Sequence, residues 1–240
     1  MAESFCIMLA GIKIKITAQH GTAKEFCRDS LVPDGDAAFA VAADPARVQA
    51  DMKEVPGVGE ATAETLTLYR EIAERLPFYG ACVFHGASVC YGGKGYLFTA
   101  QSGTGKSTHI KLWRIHIGAG VEIINGDKPI LLLKDGKVEV CGTPWAGKEN
   151  WQRNCRYPLS GLCLVTRGKE NSIRKVNAGE YLNFLFNQIY LPKNGEARLK
   201  TLEILDTLCR TVPTYLLACN MEPEAAYTSF EAMTGEKAPR

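Results

Sequence analysis

The sequence lacks most of what a secreted, membrane-spanning or nucleic-acid-coating protein needs. Its nine cysteines are odd in number and run from Cys6 to Cys219 without a C-x-x-C pair. That spacing excludes a disulfide framework, argues against a zinc site and predicts reduced, mostly buried thiols of a cytoplasmic protein. No apolar run approaches the roughly 18 residues of a membrane span, so no membrane partner is expected. Charge of one sign is scarce as well: Lys and Arg number 28 against 26 Asp and Glu, a surplus of two that argues against a whole-surface binder of nucleic acid or an anionic bilayer and leaves room for a local basic patch alone. Repeats and low-complexity segments are absent. What remains is a chain of 240 residues with 46% hydrophobic and 22% charged content, long enough for one large α/β core or a core with an appendage.

The first third reads as a small α+β region over residues 1–78. Its N-terminus carries Glu3 and no cationic stretch, and the apolar run from Phe5 passes into the alternation Ile12-Lys13-Ile14-Lys15-Ile16, which predicts a strand and not a leader peptide. Asp44-Pro45 offers an N-cap followed by proline at the first helical position, predicting a helix to about Lys53. Pro56-Gly57-Val58-Gly59 reads as a hinge. An amphipathic helix follows over Glu60 to Leu76, with Leu66, Tyr69, Ile72, Ala73 and Leu76 at helical spacing. No chemical constellation stands out in this part.

From Ala81 the character changes. Ala81 to Tyr91 predicts a strand, Gly92 to Gly95 a hairpin turn, and Tyr96 to Thr99 a second, buried strand. That strand runs into Ala100-Gln101-Ser102-Gly103-Thr104-Gly105-Lys106-Ser107-Thr108, and a helix continues to about His116 and stops at Gly118. Strand, glycine loop and helix form the context of a phosphate-binding loop, although Ala100 stands where the G-x-x-x-x-G-K-[ST] pattern has its first glycine. Such a loop needs backbone N–H groups curled at a helix N-terminus, a lysine for the β- and γ-phosphates and a hydroxyl for Mg²⁺. Lys106 and Ser107 supply the last two. Downstream, Glu122 to Asn125 predicts a strand ending in Gly126-Asp127, where a carboxylate could hold the metal or accept a proton from an attacking hydroxyl. An Asx turn also accounts for an aspartate there, and both readings stay open. A hairpin (Pro129 to Leu133 with Val138 to Cys141), a strand over Leu162 to Thr166, helices over Ala178 to Leu191 and Ala197 to Val212, a strand over Tyr215 to Cys219 and a last helix from Glu222 imply a mixed sheet.

Phe84-His85-Gly86-Ala87-Ser88-Val89, Leu97 to Thr108 and Ile124-Asn125-Gly126-Asp127 together resemble the catalytic domain of HPr kinase/phosphorylase. That family shares its nucleotide-binding core with ATP-dependent phosphoenolpyruvate carboxykinase. The resemblance implies an α/β fold over residues 79–240, a P-loop nucleotide-binding core of the HPr kinase/PEP carboxykinase type with a mixed sheet. It also implies ATP held by Ser102, Gly103, Thr104, Gly105, Lys106, Ser107 and Thr108, Mg²⁺ held by Ser107 and Asp127, and catalysis by Asp127, Lys106 and His85. His85 alternatively serves as a hydrogen-bonded structural residue. In the family the aspartate is the first of an Asp-Asp pair, and here Lys128 takes the second place. The signature of the bifunctional kinase/phosphorylase after its catalytic core is not recognisable, so phosphorylase activity and hexamer formation are not carried over.

The stretch from Gly142 to Arg153, with Trp145, Trp151, Lys148 and Arg153, reads either as a mobile segment closing over substrate or as a surface loop pinned by its indoles. On the first reading Lys148 and Arg153 bind substrate. Arg156, Arg167 and Lys169 read as solvated charges, and His109 and His116 as structural. The expectation is a cytoplasmic ATP- and Mg²⁺-dependent kinase acting on a hydroxyl, foremost serine, of a protein or peptide, with self-association left open. A small-metabolite kinase, a carboxykinase-like enzyme and a catalytically inactive nucleotide-binding protein are the alternatives.

Overall fold

The computed structural model describes residues 2–54 and 57–239, so Pro56 of the expected hinge lies outside the described residues. The apolar N-terminus forms two strands where one was expected. β1 (Glu3–Leu9) and β2 (Ile12–Ala18) pair antiparallel from Glu3↔Ala18 to Leu9↔Ile12. Ala10 and Gly11 turn the chain with φ of 53° and 81°, the double left-handed conformation of a two-residue hairpin. The hydrophobic run continues unbroken into this turn, so composition alone hides it. Beyond it, Ile12, Ile14 and Ile16 are buried while Lys13 and Lys15 face outward, as alternation demands.

α1 (Gly21–Phe26) precedes β3 (Leu31–Val32) and β4 (Phe39–Ala42), which complete a sheet of order β3-β1-β2-β4. α2 (Pro45–Glu54) starts at the expected proline, with Asp44 Oδ1 accepting the Ala46 N–H at 3.0 Å, and α3 (Glu60–Arg75) follows. Leu68 and Ile72 of α3 pack with Ile7, Leu9, Ile14 and Ile16 in one apolar cluster. That cluster does not stop at residue 78, because Val83, Ile130, Leu132 and Trp145 belong to it too.

The expected strand over Ala81 to Tyr91 is broken into β5 (Ala81–Val83) and β6 (Ala87–Tyr91). Between them the backbone leaves the ladder: the N–H groups of Phe84, His85 and Gly86 donate to the carbonyls of Pro129, Gln188 and Asp127. Gly86 is required there, since a Cβ would lie 2.8 Å from Leu97 Cδ1 and 2.9 Å from the Phe98 carbonyl oxygen. β7 (Lys94–Thr99) then leads into α4 (Lys106–Leu112), which continues as a π-helical turn over Trp113–Ile117 and ends at Gly118 with φ of 91°. β8 (Glu122–Asn125), β9 (Ile130–Lys134) and β10 (Lys137–Cys141) fall where the sequence places them.

β11 (Arg156–Arg167) is longer than expected because its first residues pair antiparallel with β10, its middle parallel to β7 and its end parallel to β13. β12 (Ser172–Val176), for which the sequence reading names no element, pairs antiparallel with β13. The expected helix over Ala178 to Leu191 is a 3₁₀ turn, Ala178–Tyr181, and the short α5 (Leu182–Phe186). α6 (Gly195–Thr211), β13 (Thr214–Cys219) and α7 (Pro223–Thr234) complete the chain. The large sheet runs β5-β9-β10-β11-β7-β6-β8 with β13 and β12 branching from β11, and it mixes parallel and antiparallel pairs.

Candidate functional site

β7 delivers Thr99 and the buried Ala100 to a loop whose Gln101, Ser102 and Gly103 are exposed. Gly103 and Gly105 adopt φ of 76° and 123°, yet a Cβ at either would meet nothing within 4 Å. Glycine is needed there for the turn itself rather than for room. Lys106 opens α4 and folds back, its Nζ donating to the Ala100 carbonyl at 3.2 Å. Its side chain is buried, and no carboxylate among the described residues lies within ion-pair distance of it. Burial lowers the Lys106 pKa and the nearby Lys128 charge acts the same way, while the Asp127 charge opposes them. Ser107 Oγ donates to the Gly126 carbonyl at 3.4 Å, which ties the start of α4 to the residue before Asp127.

Asp127 is placed by Asn125, the buried last residue of β8. Asn125 Oδ1 accepts the N–H groups of Asp127 at 2.9 Å and Lys128 at 2.7 Å, while its Nδ2 donates to Thr143 O and Oγ1. The Asx turn foreseen as an alternative is therefore present, and it aims the carboxylate. His85 Nε2 lies 3.4 Å from Asp127 Oδ1, and Lys128 Nζ lies 3.4 Å from Oδ2. Burial raises the Asp127 pKa, but the His85 hydrogen bond and the Lys128 charge outweigh it and hold the carboxyl below its ordinary value. His85 is itself fixed from two sides: its Nδ1 sits 3.0 Å from Gln188 Oε1, and its carbonyl accepts Thr99 Oγ1 at 3.0 Å. The residue that ends the strand before the glycine loop thus anchors the residue that faces Asp127.

The stretch from Gly142 to Arg153 is tethered rather than free. Gly126 N–H donates to the Trp151 carbonyl, and Arg153 N–H to that of Ile124. Trp145 is buried against Phe26 and Tyr69, with its Nε1 donating to the Thr65 carbonyl at 3.1 Å. A Cβ on Gly147 would lie 3.1 Å from Asp127 Cβ, so this loop walls one side of the carboxylate. Lys148 is exposed, and Arg153 forms an ion pair with Glu122 in a shallow hollow beside Trp151 and Arg114. The structure brings Lys106, Ser107, Asp127 and His85 together; Lys148 and Arg153 make no contact with them among the described residues.

Three contributors carry no sequence signal of their own. Arg167, read as a solvated charge, donates from Nη2 to the Gly103 carbonyl at 2.7 Å and from Nε to that of Thr104 at 3.5 Å, strapping the loop from the end of β11. It lines two hollows flanking the loop. One, of about 610 Å³, is walled by Leu164, Tyr181, Phe184 and Leu216. The other, of about 460 Å³, is walled by Leu112, Cys219, Asn220 and Met221. Gln188 and Tyr69, from a loop and from α3, are the other two. His109 is structural: it is fully enclosed, its Nε2 sits 2.8 Å from Ser229 Oγ, and burial pushes its pKa down to about 4.

No protein-family model matches the chain, and no curated protein matches it. Among solved structures it is similar to the HPr(Ser) kinase/phosphatase from Coxiella burnetii, with 10% identity and a TM-score of 0.36 over 64% of this chain and 99% of that one. A likeness of that size assigns no activity, which has to come from the residues of the site.

Proposed function

We propose that this chain is an ATP- and Mg²⁺-dependent kinase that transfers a phosphoryl group to a hydroxyl of a protein or peptide, foremost a serine, in the cytoplasm. The observation that carries the reading is Lys106: a buried ammonium with no carboxylate in ion-pair contact among the described residues, set at the start of a helix behind two left-handed glycines. A buried cation held by one carbonyl calls for an anion, and loop plus lysine suit a polyphosphate. The hollows beside the loop have room for a base and ribose. The residues present fit Mg²⁺ at one point, the half-buried Ser107 hydroxyl; when bound there, the metal would neutralise phosphate charge.

The chain's own groups do the rest. Lys106 binds the β- and γ-phosphates, Arg167 holds the loop in register, and Asp127 aligns the acceptor hydroxyl and takes its proton as the new P–O bond forms and the bond from the γ-phosphorus to the bridging oxygen breaks, releasing ADP. His85 keeps Asp127 in place. The free thiols of all nine cysteines suit a reducing compartment.

Incubation with ATP, Mg²⁺ and seryl peptides, read by ADP release and by the mass of the peptide, tests the reading. Phosphopeptide from the wild type but not from Asp127→Asn supports it. Nucleotide binding without transfer to any hydroxyl acceptor would leave a nucleotide-binding protein instead.

A further inference from the structure

Asp127 has a nitrogen against each of its oxygens: His85 Nε2 at 3.4 Å from Oδ1 and Lys128 Nζ at 3.4 Å from Oδ2. The two nitrogens balance the carboxylate's charge and make its surroundings unfavourable to a second divalent cation, while each oxygen keeps a lone pair for a hydroxyl. Lys128 is also tethered at its backbone and at its ammonium. Its N–H donates to Asn125 Oδ1 at 2.7 Å, its carbonyl accepts Thr143 Oγ1 at 2.8 Å, and its ammonium lies 5.7 Å from the centre of the Tyr69 ring. That ring is fixed in turn between Trp145 and Tyr190, with centroids 5.5 and 6.0 Å away. The Lys128 charge is felt at Lys106. Two ammonium groups therefore stand near one carboxylate beside the Ser107 hydroxyl, a local excess of positive charge that an incoming anion would balance.

Resting on the kinase reading above, we infer that Lys128 is a tethered counter-ion for the terminal phosphate, doing with a side chain what a second divalent cation would do, so that a single metal ion at Ser107 suffices. An ammonium has three donors, enough to keep Asp127 and reach a phosphate oxygen as well. Tyr69 is then a positioning residue, and through it α3 of the N-terminal region helps to build the site.

Two measurements test this, and neither needs turnover. The first counts Mn²⁺ by electron paramagnetic resonance in the presence of a non-hydrolysable imido analogue of ATP; a single tightly held ion per chain is expected. The second compares calorimetric affinities for that analogue and for ADP. Lys128→Gln should weaken the analogue by about tenfold or more, the size of a lost charge-assisted hydrogen bond, and ADP far less. Lys128→Arg, which keeps the charge, should retain most of the preference for the analogue. Two Mn²⁺ ions in the wild type, an unchanged preference in Lys128→Gln, or equal loss in Lys128→Arg would each overturn the inference while leaving the kinase reading intact. Failure of the wild type to bind either nucleotide would overturn both.

Discussion

Asp127 and Lys106 illustrate opposite electrostatic situations within one site. Burial raises the carboxyl pKa, and His85 and Lys128 more than reverse that, so the folded value is depressed. A depressed folded value means that Asp127 contributes stability above its unfolded pKa of about 3.9, a contribution lost as pH falls through the folded value. The carboxyl ¹³C resonance of Asp127 should accordingly titrate below the ordinary aspartate range, and Lys128→Gln should move it upward; an unshifted midpoint in the variant would show that Lys128 exerts no field there. For Lys106 burial wins, and the Asp127 charge offsets it only in part. Because its ammonium is buried with no carboxylate of the described residues in ion-pair contact, Lys106→Met should leave the ligand-free protein as stable or more stable, by on the order of 1 kcal/mol, while abolishing the thermal shift that ATP or ADP produces. Retained nucleotide affinity in that variant would remove the phosphate-loop assignment.

Whole elements show why much of the site was legible and the rest was not. β7, the glycine loop and α4 are contiguous, so their hydrophobic run, glycines and lysine announce themselves within about a dozen residues. Asp127 was found the same way, as the acid after the next strand. The break between β5 and β6 has no comparable mark, since Phe84 and Ala87 continue the apolar run and only the pair His85-Gly86 interrupts it. His85 thereby meets Gln188, 103 residues away, and Arg167 meets Gly103, 64 residues away, through pairings that no local pattern encodes. The break is also a place where the backbone packs closely around the site. Gly86→Ala would force β6 away from Leu97 and Phe98, destabilising the fold by about 1–3 kcal/mol and dragging His85 from Asp127, so turnover should fall more than nucleotide affinity. A variant with wild-type melting temperature and turnover would show that the contact relaxes without cost. Arg167→Ala tests the other long-range element contact: its side chain is exposed, so stability should hold, while nucleotide affinity falls several-fold through loss of a hydrogen bond worth about 1 kcal/mol.

At the scale of the molecule, sequence composition suggests a seam near residue 78, but the apolar core crosses it. Leu68, Ile72 and Leu76 share a cluster with Val83, Ile130 and Leu132, and Trp145 enters it from the loop that walls Asp127. The Trp145 indole N–H donates to the Thr65 carbonyl inside α3, so separating the two regions would expose a large side chain and leave buried polar groups unpaired at once. Tyr69 spans the same junction, its ring centre 5.7 Å from the Lys128 ammonium. Residues that share a core and a hydrogen bond across a would-be boundary lose their partners together, which is the condition for all-or-none unfolding. Scanning calorimetry should therefore give one heat-absorption peak whose calorimetric and van't Hoff enthalpies agree, and Trp145→Ala should shift that whole peak downward, by the roughly 3–5 kcal/mol typical of emptying a buried indole site. Two resolved peaks, with only one of them displaced in Trp145→Ala, would establish instead that residues 1–78 fold as an independent unit and that Lys128 depends on a docking contact rather than on a common core.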